Sequence, residues 1–355
     1  MKITAVRCRL VPLELTRPYT IAYKTVSAVE ICFVEIELEN GLIGLGAANP
    51  SKQVVGQTTA ACFEDLTATA NERLVGQDIR HFPALCEHVS AAYGGKAGSL
   101  AAIDIALHDA YTKWLGIPLV AHLGQQIEQL PTSITIGIKG VKETVEEAQE
   151  YLDRGFRILK VKLGRSLKED LERLRALRLD FGEAMGIRVD ANQGYAEPEM
   201  LTFHRETKEL GLELVEQPLP ARAVEASKAL PLEIRETIAA DESLVTAMDA
   251  YELAAAPRAC GIFNIKLMKC GGIYQARRIA EVARLAGIHL MWGCNDESVV
   301  SIAAALHVAF SCPHTRFIDL DGSLDLAEDL GKGGFVIQEG MMRLTDQPGL
   351  GVQAI

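Results

Sequence analysis

Five short apolar runs in the middle third of the chain each end in charge, and they do so at a nearly constant interval. RILKVKLG carries Lys160 and Lys162, GIRVDANQ carries Asp190, LELVEQP carries Glu216, TIAADES carries Asp241, and GIFNIKLMKCGG carries Lys266. From Lys162 onward the intervals are 28, 26, 25 and 25 residues. A step of that size holds one strand, a crossover helix and short loops, so the run predicts successive parallel strands with helices packed outside the sheet. Charges at the carboxyl ends of such strands converge at one mouth of a (β/α) barrel. Any one of them alone reads equally well as a polar residue leaving a strand for a loop. Recurrence in register at all five argues against that for the set.

A barrel takes about 250 residues, and the 355 present leave room for a second unit. The formal charge of −11 and the pI near 5.3 exclude the basic footprint that nucleic acid requires. Eight cysteines are scattered singly with no C-x-x-C pair, which argues against a zinc site or a disulfide framework. MKITAVRCRLVPLEL alternates like a strand rather than like a leader, and no apolar run reaches the length of a membrane span. The expectation is a soluble, cytoplasmic protein that meets a small molecule, with no nucleic acid or membrane partner.

Residues 1–50 read as antiparallel β, with Glu39-Asn40-Gly41 turning the chain into LIGLGAANP. Gly41, Gly44 and Gly46 lie between strand signals with no helix directly after them, which fits a hairpin and not a phosphate loop. RPYTIAYKTVSAVE has loop character; a lid over a distant site and a plain connection are both open. Residues 57–125 read as helical. The strongest helix is SLAAIDIALHDAYTKWLG, with Ser99 as its N-cap, Gly116 as its stop, and His108 and Trp114 as packing residues. PTSITIGI is the first barrel strand, GIHLMWGCNDES the seventh and TRFIDLDGSLDL the eighth, with helices expected at 141–153, 167–179, 198–210, 221–229, 247–255 and 274–286. The glycine-rich tail from 326 is expected to return to the N-terminal sheet.

Period 2 puts Lys160 and Lys162 on the same face, inside a closed barrel if Val161 points out. Two ammonium groups ~7 Å apart at an effective dielectric of ~20 repel by about 2.4 kcal/mol, worth roughly 1.7 in pKa. Burial acts in the same direction, so one lysine is expected to be neutral enough to take a proton. Asp190, Glu216 and Asp241 come from three successive strands and offer hard oxygen donors with no His or Cys beside them, which suits Mg²⁺; three solvated loop acids are the alternative. Lys162 ends the second strand and Lys266 the sixth, on opposite sides of an eight-stranded barrel. Such a pair suits two-base racemisation or epimerisation, whereas a Schiff-base lysine is the other use of such a residue.

The set K-V-K, V-D-A-N, V-E-Q-P, A-D-E-S and N-I-K-L-M-K-C-G-G resembles the enolase superfamily, muconate-lactonising subgroup, over essentially the whole chain. The resemblance implies a modified (β/α)7β TIM barrel over 126–325, capped by an α+β domain over 1–125 that the tail 326–355 completes. It implies Asp190, Glu216 and Asp241 as Mg²⁺ ligands and Lys162 and Lys266 as the acid/base pair. Lys160 would tune Lys162 and help stabilise an enediolate, and Asn192 and Glu242 would orient the ligands. RPYTIAYK, with Tyr19 and Lys24, would be a lid that meets substrate, as would Thr135 on the first strand. A homo-oligomer is also implied.

Asp319 and Asp321 fall on one face of the eighth strand, where they suit an ammonium group; a strand running into an Asp-Gly turn is the alternative. The D-x-D pair, with GCNDES, resembles the one by which dipeptide epimerases of this subgroup hold the free α-amino group of their substrate. It implies epimerisation at the C-terminal residue of a dipeptide. Asp296 adds an acid near the mouth and hints at a cationic or neutral side chain, unless it faces solvent or pairs with Lys24. Rival readings are N-acylamino acid racemisation, o-succinylbenzoate synthesis or muconate cycloisomerisation on the same scaffold, and a non-catalytic barrel of another class.

Overall fold

In the computed structural model, which describes residues 1–20 and 25–355, alternation at the start of the chain becomes a three-stranded antiparallel sheet. Its strands are Ile3–Thr20, Thr25–Leu38 and Ile43–Ala48. The segment from Arg17, expected as a loop, instead prolongs the first two strands: Tyr19 faces Val26 and Thr20 faces Thr25. Aromatic and β-branched residues fit a pleated surface, and here they pair across it. A register shift falls between Glu14 and Tyr19, and at the tip of the ribbon the Ile138 backbone N–H donates to the Thr20 carbonyl at 2.8 Å, joining it to the barrel.

The helix Ala97–Leu115 lies on this sheet, and the glycines of the third strand are where it comes closest. A Cβ on Gly44 would stand 2.3 Å from the Ala106 carbonyl oxygen, and one on Gly46 would stand 2.0 Å from that of Ala102. Those glycines therefore admit a helix, not a phosphate. The helix stops at Gly116 as expected but begins at Ala97, so Ser99 is not its N-cap. Gln57 replaces it: its Oε1 accepts the Gly98 and Ser99 backbone N–H groups at 2.8 and 3.3 Å, and its Nε2 donates to Ser99 Oγ at 2.8 Å. A cap supplied from 41 residues away leaves no local signal.

The eight parallel strands are Ile134–Ile136, Ile158–Lys162, Gly186–Asp190, Leu212–Glu216, Ile238–Ala240, Ile262–Ile265, His289–Gly293 and Thr315–Asp319, lying side by side in chain order. A bridge between Thr132 and Ile318 brings the first and eighth together. Helices pack outside, among them Val141–Asp153, Leu167–Phe181, Ile273–Ala286 and Val299–Ser311. The helix expected at 221–229 starts at Val224 and is followed by a second short one at Leu232–Arg235.

Period 2 sorts the strand residues into two cores. Val161 belongs to the large outer core beneath the helices, whereas Leu214, Ala239, Ile262, Met291 and Phe317 form a separate plug inside the barrel. Each large apolar side chain so buried contributes roughly 1.5–3 kcal/mol. Arg188 covers this plug, its guanidinium 5.0 Å from the Phe317 ring centre, and donates to the Ile318 carbonyl at 2.7 Å where the barrel closes.

In the tail, Phe335–Gln338 pairs with Met341–Leu344, which pairs with Gln129–Pro131, and Gly331–Gly333 pairs with Val352–Ala354. Among the described residues it adds no strand to the three-stranded sheet. It meets that sheet at the Leu15–Leu326 bridge and meets the long helix where the Leu350 N–H donates to Asp109 Oδ1 at 2.7 Å. Among the described residues no helix is long and apolar enough to cross a membrane.

Candidate active site

The charged strand ends do converge. Lys160, only 2% exposed, places Nζ 2.7 Å from Glu216 Oε2, 2.7 Å from Asp319 Oδ2 and 3.4 Å from Asp190 Oδ2. Lys162 Nζ lies 2.7 Å from Asp190 Oδ2. Lys266, just after the sixth strand, places Nζ 2.9 Å from Asp241 Oδ2 and 3.9 Å from Glu216 Oε1. The carboxylates of strands three, four and five thus form a buried row with Lys162 at one end and Lys266 at the other.

Of the two neighbouring lysines, one of which was expected to be neutral, Lys160 is not that one. Burial pulls the Lys160 pKa down, but Asp319, Glu216 and Asp190 together outweigh it and raise it well above the ordinary lysine value. Repulsion from Lys162 does not make Lys160 neutral, because three carboxylates face its ammonium. Lys266 is raised as well, burial opposing while Asp241 and Glu216 prevail. The acids divide. Burial and the like charge of Asp190 push Glu216 up to about 8. Asp241 and Asp190 are held below the usual carboxylate range despite burial, by Lys266 and Lys269 for the one and by Lys162 and Lys160 for the other.

Asn192, in the left-handed region at φ 43°, turns its backbone N–H onto Asp190 Oδ1 at 2.8 Å and its Nδ2 onto Asp190 Oδ2 at 3.2 Å and Glu242 Oε1 at 3.4 Å. Burial and Asp241 push Glu242 up to about 7. Three buried oxygens around the row, Asn192 Oδ1, Glu216 Oε2 and Glu242 Oε2, accept no hydrogen bond, Glu216 Oε2 having only its ion pair with Lys160. Buried acceptors without donors beside three carboxylates fit a hard divalent cation. Among the described residues, a tighter set of ligand-type atoms, Cys86, Asp104 and His108 within 4.8 Å, lies under the helices. There Asp104 Oδ2 accepts the Ile273 and Tyr274 N–H groups at 2.5 and 3.2 Å, capping a barrel helix, and His108 stands edge-on to Phe82.

Above the row opens a cavity of about 490 Å³, walled by the barrel mouth and by the tip of the N-terminal ribbon. Asp319 is committed on both oxygens, to Lys160 and to Ser133 Oγ at 2.7 Å. Asp321 accepts the Thr135 backbone N–H at 2.8 Å, and burial with the like charge of Asp319 pushes it up to about 7. The Tyr19 hydroxyl donates to Asp296 Oδ2 at 2.8 Å, so two residues expected to meet substrate meet each other. Lys24 lies outside the described residues.

Residues 143–354 match the model of the enolase C-terminal domain-like family, and residues 3–124 match that of the mandelate racemase / muconate lactonizing enzyme N-terminal domain. The chain belongs to the enolase superfamily. Two proteins named L-Lys-D/L-Arg epimerase are similar to it throughout. That of Methylococcus capsulatus is 50% identical over 352 residues, 99% of each chain, and that of Desulforapulum autotrophicum is 52% identical over 355 residues, 100% of each chain. The crystal structure of the Methylococcus capsulatus dipeptide epimerase complexed with Mg and the dipeptide L-Arg-D-Lys matches with a TM-score of 0.98 at 50% identity, covering 99% of each chain.

This enolase-superfamily site holds three residues that sequence reasoning missed. Asp325 lines the cavity and is pushed up to about 8 by burial and by Asp321, Asp296 and Glu147. Glu147, on the first barrel helix, bonds Arg17 at 3.1 Å and the Tyr151 hydroxyl at 3.0 Å and pairs with Lys139. Lys269 is buried against Asp241. A weak signal existed for Asp325, four residues beyond Asp321 in an acid-rich run. What brings it to the cavity is the Leu15–Leu326 bridge, which no local pattern encodes.

Proposed function

We propose that this chain is a Mg²⁺-dependent dipeptide epimerase that inverts the α-carbon of the C-terminal residue and prefers cationic side chains. The observation that carries the reading is the buried row of Asp190, Glu216 and Asp241 with Lys162 at one end and Lys266 at the other. Those three acids hold the ion, which when bound offsets their charge and stabilises negative charge on the substrate carboxylate. Lys162 removes the α-proton from one face, and Lys266 delivers a proton to the other. Lys160 keeps a fixed positive charge beside Lys162, and Asn192 with Glu242 keeps Asp190 in orientation. Asp321 receives the substrate ammonium, with Asp319 behind it and the Thr135 N–H aiming it.

The cationic preference rests on the acids around the cavity. Asp325 feels the like charges of Asp321, Asp296 and Glu147, and among the described residues neither Asp321 nor Asp325 forms an ion pair. A lysine or arginine side chain would supply the missing charge, in keeping with the names of the two similar epimerases. The test is incubation of the Mg²⁺-loaded protein in D₂O with a mixed dipeptide library, read by mass spectrometry. Deuterium at the C-terminal α-carbon of Lys- and Arg-containing dipeptides, with little in Ala-Glu, is expected. Uptake into N-succinyl amino acids and into no dipeptide would replace this reading with racemisation of acylated amino acids.

A further inference from the structure

We propose that Lys269 is a positioning residue: it holds Asp241 in place so that Lys266 is free to face the substrate, an inference that rests on the two-base reading above. After Lys266 the chain enters the short helix Leu267–Cys270, and one turn brings Lys269 back to the same side. Its side chain is buried, and Nζ donates to Asp241 Oδ1, to the Asp241 carbonyl at 2.6 Å and to the Asn264 carbonyl at 3.1 Å. An ammonium has three N–H bonds, and here each has an acceptor.

Lys266 is bound differently. It makes one hydrogen bond, to Asp241 Oδ2 at 2.9 Å, and its next acid, Glu216, is 3.9 Å away. The Asp241 carboxylate therefore gives one oxygen to each lysine. Asp241 follows a strand of only three residues, and the Gln217 side chain holds its backbone N–H at 2.9 Å. Lys269 fixes its other end. A saturated buried ammonium has no reason to turn, whereas Lys266 can leave one bond and swing into the cavity.

Removing Lys269 would strip donors from Asp241 Oδ1 and from two buried carbonyls. Lys266 is the nearest ammonium able to answer, and in answering it would turn away from the substrate. The effect falls on one face of the α-carbon. Lys162 stands by Asp190, beyond the reach of this exchange of partners.

The experiment measures α-proton exchange in D₂O for each stereoisomer of one dipeptide separately, with full-length Mg²⁺-loaded wild type, K266A, K269M and K269Q. K266A identifies the stereoisomer that depends on Lys266. In K269M, exchange of that stereoisomer is expected to fall ~100-fold, the cost of an ångström-scale misplacement, while the other changes little. K269Q can still donate to the carbonyls and is expected to lose less. A crystal structure of K269M is expected to show Lys266 Nζ drawn onto both Asp241 oxygens. Equal loss on both faces, as from general loosening, would overturn the proposal, and so would full exchange on both. Wild type that exchanges neither stereoisomer would overturn the two-base reading and this proposal with it, a result distinct from either of those.

Discussion

Lys160 Nζ and Asp319 Oδ2 lie 2.7 Å apart and tie the second strand to the eighth over the three-residue first strand between them. The tie continues downward. Ser133 Oγ donates to the other Asp319 oxygen at 2.7 Å and accepts from Arg188 at 3.2 Å, and Arg188 covers the apolar plug. Asp319 is thus part of the frame that closes the barrel, while Asp321, two residues on, lines the cavity.

The two aspartates should therefore fail differently. D319N leaves a buried ammonium short of a partner and is expected to destabilise the fold by about 3 kcal/mol, the low end for breaking a buried pair, with kcat falling too. D321N is expected to cost less than about 1 kcal/mol and to raise KM for dipeptides at least ~10-fold, a charge-assisted bond being worth about 1.5–3 kcal/mol. Urea unfolding and steady-state kinetics on both variants check this. Equal stabilities would contradict it.

Activity should also report the Asp321 proton. Burial and Asp319 push its pKa up to about 7. An acid so raised is neutral below that value, so its attraction for an ammonium is lost as pH falls through it. For wild type, kcat/KM for a dipeptide is expected to drop on the acid side of about pH 7, since that ratio reports free-enzyme pKa values. D321N should lack this limb. An identical limb in the variant would assign it to another group.

The acids contributed by the first barrel helix and the eighth-strand loop should set the side-chain preference. In D325N and in E147Q, the ratio of kcat/KM for a Lys- or Arg-containing dipeptide to that for Ala-Ala is expected to fall about 10-fold, the value of one partly solvated ion pair in a binding site. Parallel assays on the two substrates measure it, and an unchanged ratio would place the cation elsewhere.

Ligand-linked stability tests the carboxylate row without any substrate. After chelation, Mg²⁺ at 100 times its Kd is expected to stabilise the wild type by about 2.7 kcal/mol. E216Q should lose most of that gain, because it replaces the central carboxylate of the row with a neutral amide. Thermal or urea melts with and without Mg²⁺ decide it, and an undiminished gain in E216Q would move the ion away from Glu216.

The parts legible in the sequence were those that repeat. Lys160 and Lys162 could be assigned to the barrel interior because a strand alternates strictly, and Val161 does point into the outer core. Lys162 and Lys266 could be set opposite each other by counting strands. Contacts from far along the chain were not legible. The Ser99 cap was displaced by Gln57, and the expected loop at Arg17 became strand because its partner across the ribbon holds it. Acids from the third, fourth and eighth strands hold the Lys160 pKa up; each was named from the sequence, but their distances to this one ammonium were not legible there. Lys269 went unnoticed because a lysine one turn into a short helix has the pattern of a solvated surface residue.

The bridge between Leu15 and Leu326 joins positions 311 residues apart and sets Asp325 beside the cavity. During synthesis, which runs from the N-terminus, the strands bearing Lys162 through Lys266 emerge well before that bridge can form. The barrel itself closes only once the eighth strand, ending in Asp319, has emerged, and Asp325 follows within the next loop. In the order of synthesis, the cavity wall that carries Asp325 is among the last parts of the site to be made.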